Sequence, residues 1–416
     1  MRLLFLTHSH PELQAGGTEI FARDLFRAHR ESGHTGTFVA GATPRQRSAS
    51  PGTAFQVVGE YSDEVLVRTG GFDQFFLSQT DLYGFSRSFA QLLDEEQPEI
   101  VHIHHLLNLG VEILSLIRRH APSAKIVMTL HDYYPICANE GQLLTTSGVL
   151  CSRAQPDHCL KCFSDRTLTE FKLRELHIRR AFDQVDHFIA PSKFLKQKFV
   201  EWGLADGIIS VIPNGLPCAE AASVRSSQRR DRFAFFGHIN GFKGATTVVE
   251  ASSILSDQNC SHQLSVFGGS EFQSEQVKVK FAEACESAPD STYHGPYRRS
   301  EFKRLIEWAD WVVFPSLWWE NAPLVISEAL QHQRPVICSN VGGSVELIQD
   351  GVNGLHFRLG DACALADIMK RGIEERGLWQ RLVEGIKETR TIQASAQAYQ
   401  DVYINMINVA VPRAVA

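Results

Sequence analysis

The sequence predicts an α/β protein built from two parallel-sheet domains. Three observations carry this. The chain has 416 residues, more than one ordinary hydrophobic core accommodates and a length that suits two domains. Short apolar runs bounded by Gly, Pro or polar residues recur along it and alternate with longer stretches of helical period. That is the pattern of strands buried on both faces between crossover helices. A polar, Ser/Arg-rich stretch, 216–231 (LPCAEAASVRSSQRRD), divides the two series and reads as a linker. The expected organisation is a first domain over 1–215, a second over 216–393, and a C-terminal helix over 394–416.

Composition narrows the function classes. Hydrophobic residues make up 44% and charged residues 21%, ordinary for a soluble globular protein. The formal net charge of −6 argues against a nucleic-acid-binding module. No apolar run reaches the ~18–20 residues that span a bilayer. The N-terminus, MRLLFLTHSHPEL, has too short an apolar run for a signal peptide and reads as a first buried strand. Nine cysteines without an export signal point to a reducing compartment and a cytoplasmic protein.

In chain order, Arg2–Thr7 reads as the first strand. Gly16 and Gly17 precede Thr18, a good N-cap residue, and a helix carrying Ile20, Phe21, Leu25 and Ala28. Residues 41–80 read as loops with a strand near Phe55–Val58, and carry no recognisable chemistry. Glu99–His105 and Lys125–His131 are two further buried strands with histidines at their carboxyl ends, where a strand borders a cleft. His104 and His105 are weaker candidates than His131, since His105 equally suits a helix cap.

Cys137, Cys151, Cys159 and Cys162 crowd into one segment, spaced C-x13-C-x7-C-x2-C around a hairpin-like stretch. Thiolate zinc uses such a C-x2-C pair with two ligands elsewhere. A closed structural zinc is the expectation, with His158 in reserve. An iron–sulfur cluster, spare thiols and a disulfide are the alternatives. Phe163–Phe182 reads as an amphipathic helix with Lys172, Arg174, Arg179 and Arg180 among apolar residues, either solvated or lying on a membrane surface. His187–Pro191 and Ser210–Pro213 close the first series of strands.

The second series runs through Phe233–Phe236, Leu264–Gly269, Thr292–Gly295, Trp311–Phe314 and Pro335–Ser339. Its most informative stretch is Trp311–Leu330, WVVFPSLWWENAPLVISEAL. A buried strand ends at Pro315 and a loop carries Trp318, Trp319 and Glu320. Asn321 is expected to cap a helix whose first turn holds Pro323. The helix start at Asn321, Ala322, Pro323 and Leu324 is a ready site for a phosphate. Glu320 and Glu328 flank that start. Ionised carboxylates only accept hydrogen bonds and sugar hydroxyls donate them, so the spacing suits a phosphate between two polyols: ribose, diphosphate, sugar. Each glutamate alone reads equally well as a solvated or ion-paired side chain.

The stretch E-N-A-P-L-V-I-S-E resembles the E-x7-E motif of retaining GT-B glycosyltransferases, glycosyltransferase family 4. The likeness continues in Arg334-Pro335-Val336-Ile337, Gly342-Gly343, Glu346-Leu347-Ile348 and Asp350–Gly354, and its pieces recur over most of the chain. The four cysteines would mark a subgroup with an insert. The resemblance implies two Rossmann-like domains facing a cleft, with the last helix crossing back to the first domain. It implies that Gly16 and Gly17 touch a donor diphosphate, and that His131 lines the donor-sugar and acceptor pocket. Gly237–Gly244 (GHINGFKG) resembles the family's Gly-Arg-x4-Lys-Gly segment, whose Arg and Lys grip the diphosphate. Lys243 matches. His238 stands where Arg is usual, so an imidazolium serves, or another cation such as Arg298 or Arg299 takes its place, or the site is weak.

The expected activity is metal-independent, retaining transfer of a sugar from a nucleoside diphosphate sugar, with no cofactor and no Asp-x-Asp motif in the chain. Lys243, Glu320 and His131 are the expected catalytic residues. Glu328 is expected on the ribose and Tyr297 at the nucleobase. The acceptor implied by the family is a glycan or polyprenyl-linked glycan in cell-surface polysaccharide synthesis, with peripheral contact at the inner face of the membrane. A nucleotide-sugar epimerase and a non-catalytic nucleotide-sugar-binding scaffold are the competing readings.

Overall fold

The chain folds as two α/β units, one formed by Met1–Pro217 with the C-terminal segment from Arg390, the other by Cys218–Thr389. The structure is a computed structural model that describes residues 1–48, 54–58, 61–80, 82–271 and 273–408. Parts of the 41–80 stretch and the end of the 394–416 segment therefore lie outside the described residues.

The first unit holds β1 (Arg2–Thr7), β2 (Thr35–Ala42), β3 (Phe55–Val58), β4 (Tyr61–Arg68), β5 (Phe72–Asp73), β6 (Ser78–Gln79), β7 (Ile100–Ile103), β8 (Lys125–Thr129), β9 (His187–Ala190) and β10 (Ile209–Val211). Its main sheet has the order β10-β9-β8-β7-β1-β2-β4-β3. Neighbours are parallel except β3 and β4. From β1 the chain builds outward through β2 to one side and then returns to place β7 on the other. The strand order reverses between β1 and β7, so a crevice opens beyond their carboxyl ends. The region read from sequence as loops thus contributes β4. Its Glu64 is buried, and Arg23, Arg27 and His10 surround it at 2.7, 2.9 and 3.0 Å. A charged residue inside a strand broke the apolar pattern and hid the element.

Three helix starts in the first unit differ from expectation. The first helix, Gly17–Glu31, is capped by Gly16 with no side-chain bond, so Thr18 is inside the helix and is not its cap. The basic helix begins at Leu168, because Thr167 and Glu170 close a reciprocal capping box there. It runs to Phe182 with Arg174 buried, while Leu173 and Leu176 are 51% and 46% exposed. The last helix, Ile392–Asn408, packs within the first unit. Tyr403 Oη lies 2.6 Å from His102 Nδ1, and Tyr399 meets Thr129.

The second unit holds β11 (Arg232–Phe236), β12 (Gln263–Phe267), β13 (Ser291–Gly295), β14 (Trp311–Phe314), β15 (Val336–Ser339) and β16 (Gly354–Phe357), all parallel in the order β13-β12-β11-β14-β15-β16. Apolar clusters cover both faces, one around Phe233, Val266 and Trp311, the other around Phe236, Val312 and Ile326. This explains why these strands read as continuous apolar runs. The order reverses between β11 and β14. Among the described residues, no helix is long and apolar enough to cross a membrane.

Candidate functional site

In the second unit the loops after β11 and β14 meet at the reversal point. Asn240 Oδ1 accepts from the backbone N–H groups of Phe242 and Lys243 at 3.2 and 2.8 Å, an Asx turn that fixes the loop. Gly244 then adopts a φ of 76°, and a Cβ there would collide with the Pro315 carbonyl. Only glycine meets both demands. Leu317 N–H donates to Phe242 O at 2.7 Å and ties the two loops together.

This closeness brings Lys243 Nζ within 2.7 Å of Glu320 Oε1. The same oxygen accepts from Ser316 Oγ at 2.6 Å and from Trp318 Nε1 at 2.6 Å. Glu320 is only 4% exposed. The ammonium also lies 5.7 Å from the Phe314 ring centre and 5.2 Å from that of Trp318, within cation–π range. The sequence pointed to Lys243 and Glu320 but not to Ser316 or Trp318. Their signal was only nearness to Glu320 along the chain.

The helix after this loop is Leu324–Gln331. Its cap position is Pro323, with φ −66° and ψ 120°, and Asn321 is not the N-cap. The reason is local: Pro323 disfavours helical backbone at Ala322, so the helix cannot begin earlier. Asn321 is instead buried in the loop, whose backbone Glu320 O accepts from Gly343 N–H at 2.6 Å. Glu328, in the second turn of the helix, has Arg299 Nε at 4.0 Å. Burial and then the Glu328 charge push the Tyr297 phenol up. The Tyr297 ring packs edge-on against Phe236 at 5.5 Å. His238 is exposed just past β11, and Arg298 is exposed after β13.

In the first unit the carboxyl ends of β1, β7 and β8 present a cluster of histidines and carboxylates. His8, just past β1, has Nε2 at 2.9 Å from Oε1 of Glu19, which is buried in the first turn of the helix that starts at Gly17. Burial alone would lower the His8 pKa, but Glu19 and then Asp132 raise it overall. Burial would raise Glu19, and the His8 charge lowers it overall. The two form a hydrogen-bonded pair beside the Gly16–Gly17 turn, with Glu19 buried and His8 partly so. His105 Nε2 lies 2.7 Å from Asp132 Oδ2, while Tyr134 N–H holds Oδ1 at 2.9 Å. The His8 and His105 rings are 4.5 Å apart.

His131 Nε2 lies 3.0 Å from His104 Nδ1. Burial, then the neighbouring His104, holds His131 well below the usual imidazole range, so it is neutral. A cavity lined by Leu77, His104, His105, His131, Asp132 and Tyr134 opens here. Buried Arg174 fixes its wall, donating to Phe75 O at 2.7 Å and Pro135 O at 2.9 Å. His8, Glu19 and Asp132 were not singled out from sequence. A carboxylate in the first turn after a glycine pair was the available signal.

The structural zinc expected at the four cysteines finds no support in the structure. Among the described residues no group of three or more His, Cys, Asp or Glu side chains is arranged to hold a metal ion. Cys137, Cys151, Cys159 and Cys162 share one region but not a ligand geometry, and none is in a disulfide. Cys137 and Cys151 instead direct Sγ to backbone carbonyls of their own turns, Asn139 O at 3.9 Å and Val149 O at 4.0 Å. Burial and then the other thiols push Cys151 up to about 11. Spacing placed the cysteines near one another, but the turns between them set where the sulfurs point.

Comparison with known proteins identifies the fold. The sequence profile described as Glycosyltransferase Family 4 matches residues 15–220, and that described as Glycosyl transferases group 1 matches residues 230–375. The chain is 22% identical to the putative colanic acid biosynthesis glycosyl transferase WcaC of Escherichia coli K12, over 94% of this chain and 96% of that protein. It is 27% identical to the lipopolysaccharide 1,2-N-acetylglucosaminetransferase of Salmonella typhimurium, over 44% of this chain and 52% of that protein. The match therefore spans about half the length of that second relative. Anabaena Alr3699/HepE, solved with UDP and glucose, superimposes with a TM-score of 0.70 at 16% identity, covering 97% of this chain and 99% of that one. Sucrose-phosphate synthase of Thermosynechococcus elongatus gives 0.72 at 18% identity, covering 99% and 100%. At these identities the structural likeness establishes the fold, which is GT-B.

Proposed function

We propose, given that the chain belongs to the glycosyltransferases of GT-B fold, that it moves a sugar from a nucleoside diphosphate sugar to a glycan or polyprenyl-linked acceptor with retention at the anomeric carbon. The observation that carries this is the convergence of Lys243 on Glu320 at the reversal point of the second unit's sheet, where open α/β sheets bind ligands. The named relatives in colanic acid and lipopolysaccharide synthesis support a role in cell-surface polysaccharide assembly. The UDP-bound neighbour supports a nucleotide-sugar donor.

In this reading the bond between the anomeric carbon and the diphosphate oxygen breaks while the acceptor oxygen bonds to that carbon on the same face. The acceptor proton passes to the departing phosphate. Lys243, the loop residues Asn321 and Ala322 and the helix start at Pro323–Leu324 offset the growing negative charge. Glu320 accepts from sugar hydroxyls and Glu328 from the ribose, with Tyr297 bounding the base. Arg299, near Glu328, is the cation that takes the place of the arginine usual at position 238. Gly16, Gly17 and neutral His131 are the donor- and acceptor-contacting groups of the first unit. The exposed Leu173 and Leu176 among basic residues support peripheral membrane contact.

The test is release of nucleoside diphosphate from a panel of nucleotide sugars with lipid-linked and free glycan acceptors. Lys243→Ala and Glu328→Ala should each lose donor turnover while staying folded. Full activity in both overturns the site. A new sugar isomer from donor alone would identify an epimerase. Donor binding by calorimetry without release would identify a scaffold.

A further inference from the structure

We infer that Trp318 is a positioning residue that dedicates one oxygen of Glu320 to the protein and the other to the donor sugar; this rests on the transferase reading above. Glu320 Oε1 receives three donors, Lys243 Nζ at 2.7 Å, Ser316 Oγ at 2.6 Å and Trp318 Nε1 at 2.6 Å. A carboxylate oxygen has two lone pairs, so three donors saturate it. Among the described residues no group donates to Oε2. A carboxylate this deeply buried, at 4% exposure, needs its hydrogen bonds satisfied. The asymmetry fixes the rotamer, and with it the one oxygen left to accept a hydroxyl.

Trp318 contributes more than its N–H. Its ring lies 5.4 Å from Phe242 and 5.2 Å from Lys243 Nζ, so one side chain orients both the acid and the ammonium. The Lys243 charge is thereby held against Glu320, within reach of a leaving diphosphate but not swinging freely. The indole N–H is the only one of the three donors on a residue with no hydroxyl and no charge. It serves geometry alone. It restricts which hydroxyl of a sugar ring meets Oε2, which makes Trp318 a determinant of donor-sugar specificity as well as of alignment.

The experiment compares the full chain with Trp318→Phe, which keeps an aromatic ring and removes the N–H. The probes are a panel of UDP-, GDP-, ADP- and dTDP-sugars, together with the matching free nucleoside diphosphates. The expected result is a fall in kcat/KM for the sugar donor of about 10- to 150-fold, the worth of one hydrogen bond to a charged group. Affinity for the free nucleoside diphosphate should stay within about two-fold, because the loss belongs to the sugar end. Ser316→Ala should show the same split and stands in if the tryptophan variant fails to fold. Unchanged turnover in either folded variant, or an equal loss for sugar donor and free nucleotide, overturns the inference alone. Absence of turnover by the unsubstituted chain across the panel overturns the parent reading and this one with it.

Discussion

Replacing Lys243 by methionine keeps the length and apolar stem of the side chain and removes its charge. Glu320 then stays buried with two neutral donors, Ser316 and Trp318, in place of three. Breaking a fully buried ion pair from one side costs about 3–5 kcal/mol. Here the lysine side chain is 23% exposed and the glutamate 5%. Water reaches one partner, and the remaining hydrogen bonds hold the other. The expected cost is therefore about 1–3 kcal/mol. For a unit of this size each kcal/mol shifts the melting temperature by about 2–4 °C, so a mid-range loss lowers the second unit's transition by about 4–8 °C. Glu320→Gln removes the other charge. In the double variant neither charge is stranded, so the losses should fall short of additive by at least about 1 kcal/mol. Thermal unfolding followed by tryptophan fluorescence reads all four species, since Trp318 touches the pair. Additive losses, or a shift under about 1 °C for Lys243→Met, refute the coupling between the two side chains.

Two further perturbations test the first unit. Gly16 has φ −111°, which alanine tolerates, yet a Cβ there would lie 2.5 Å from Glu19 Oε2. Gly16→Ala should cost about 1–3 kcal/mol in denaturant unfolding, and the same substitution in a Glu19→Ala background should add under about 0.5 kcal/mol. The His8–Glu19 pair also gives a pH signature. His8 is raised, so its share of stability is complete below the unfolded value of about 6.5 and disappears as pH rises through the folded one. Glu19 is lowered, so its share is complete above about 4.3 and disappears as pH falls. His8 faces Glu19, Asp132 and His105. The melting-temperature gap between the chain and Glu19→Gln should thus be widest between about pH 4.3 and 6.5. A gap flat from pH 4 to 9 refutes the pairing.

Much of this protein was legible before any coordinates. The apolar runs at Arg2–Thr7, Phe233–Phe236 and Trp311–Phe314 are strands because a strand covered on both faces has no polar period to show. The E-x7-E spacing and the glycines around Lys243 pointed to the two loops that the structure brings together at the second unit's reversal point. The misses have local causes. Asn321 looked like a cap, but Pro323 moved the helix start past it. Thr18 lost the same role to Gly16. The strand Tyr61–Arg68 hid behind Glu64, whose charge is matched by arginines on another element.

Sequence by itself determined the alternation of elements, the division into two units' worth of strands, and the carboxylate, lysine and glycine positions on which the proposed site rests. It could do so because period and spacing are properties of neighbouring residues. Only the tertiary structure decided which groups meet. Lys243 and Glu320 are 77 positions apart and touch because β14 returns beside β11. His8 reaches Glu19, and His105 reaches Asp132, because β1, β7 and β8 end side by side. The same dependence left four well-spaced cysteines near enough to feel one another's charge but, among the described residues, not arranged to hold a metal. Spacing along a chain fixes how far apart two groups can be, while the direction each side chain takes is set by the backbone of its own turn and by what packs against it.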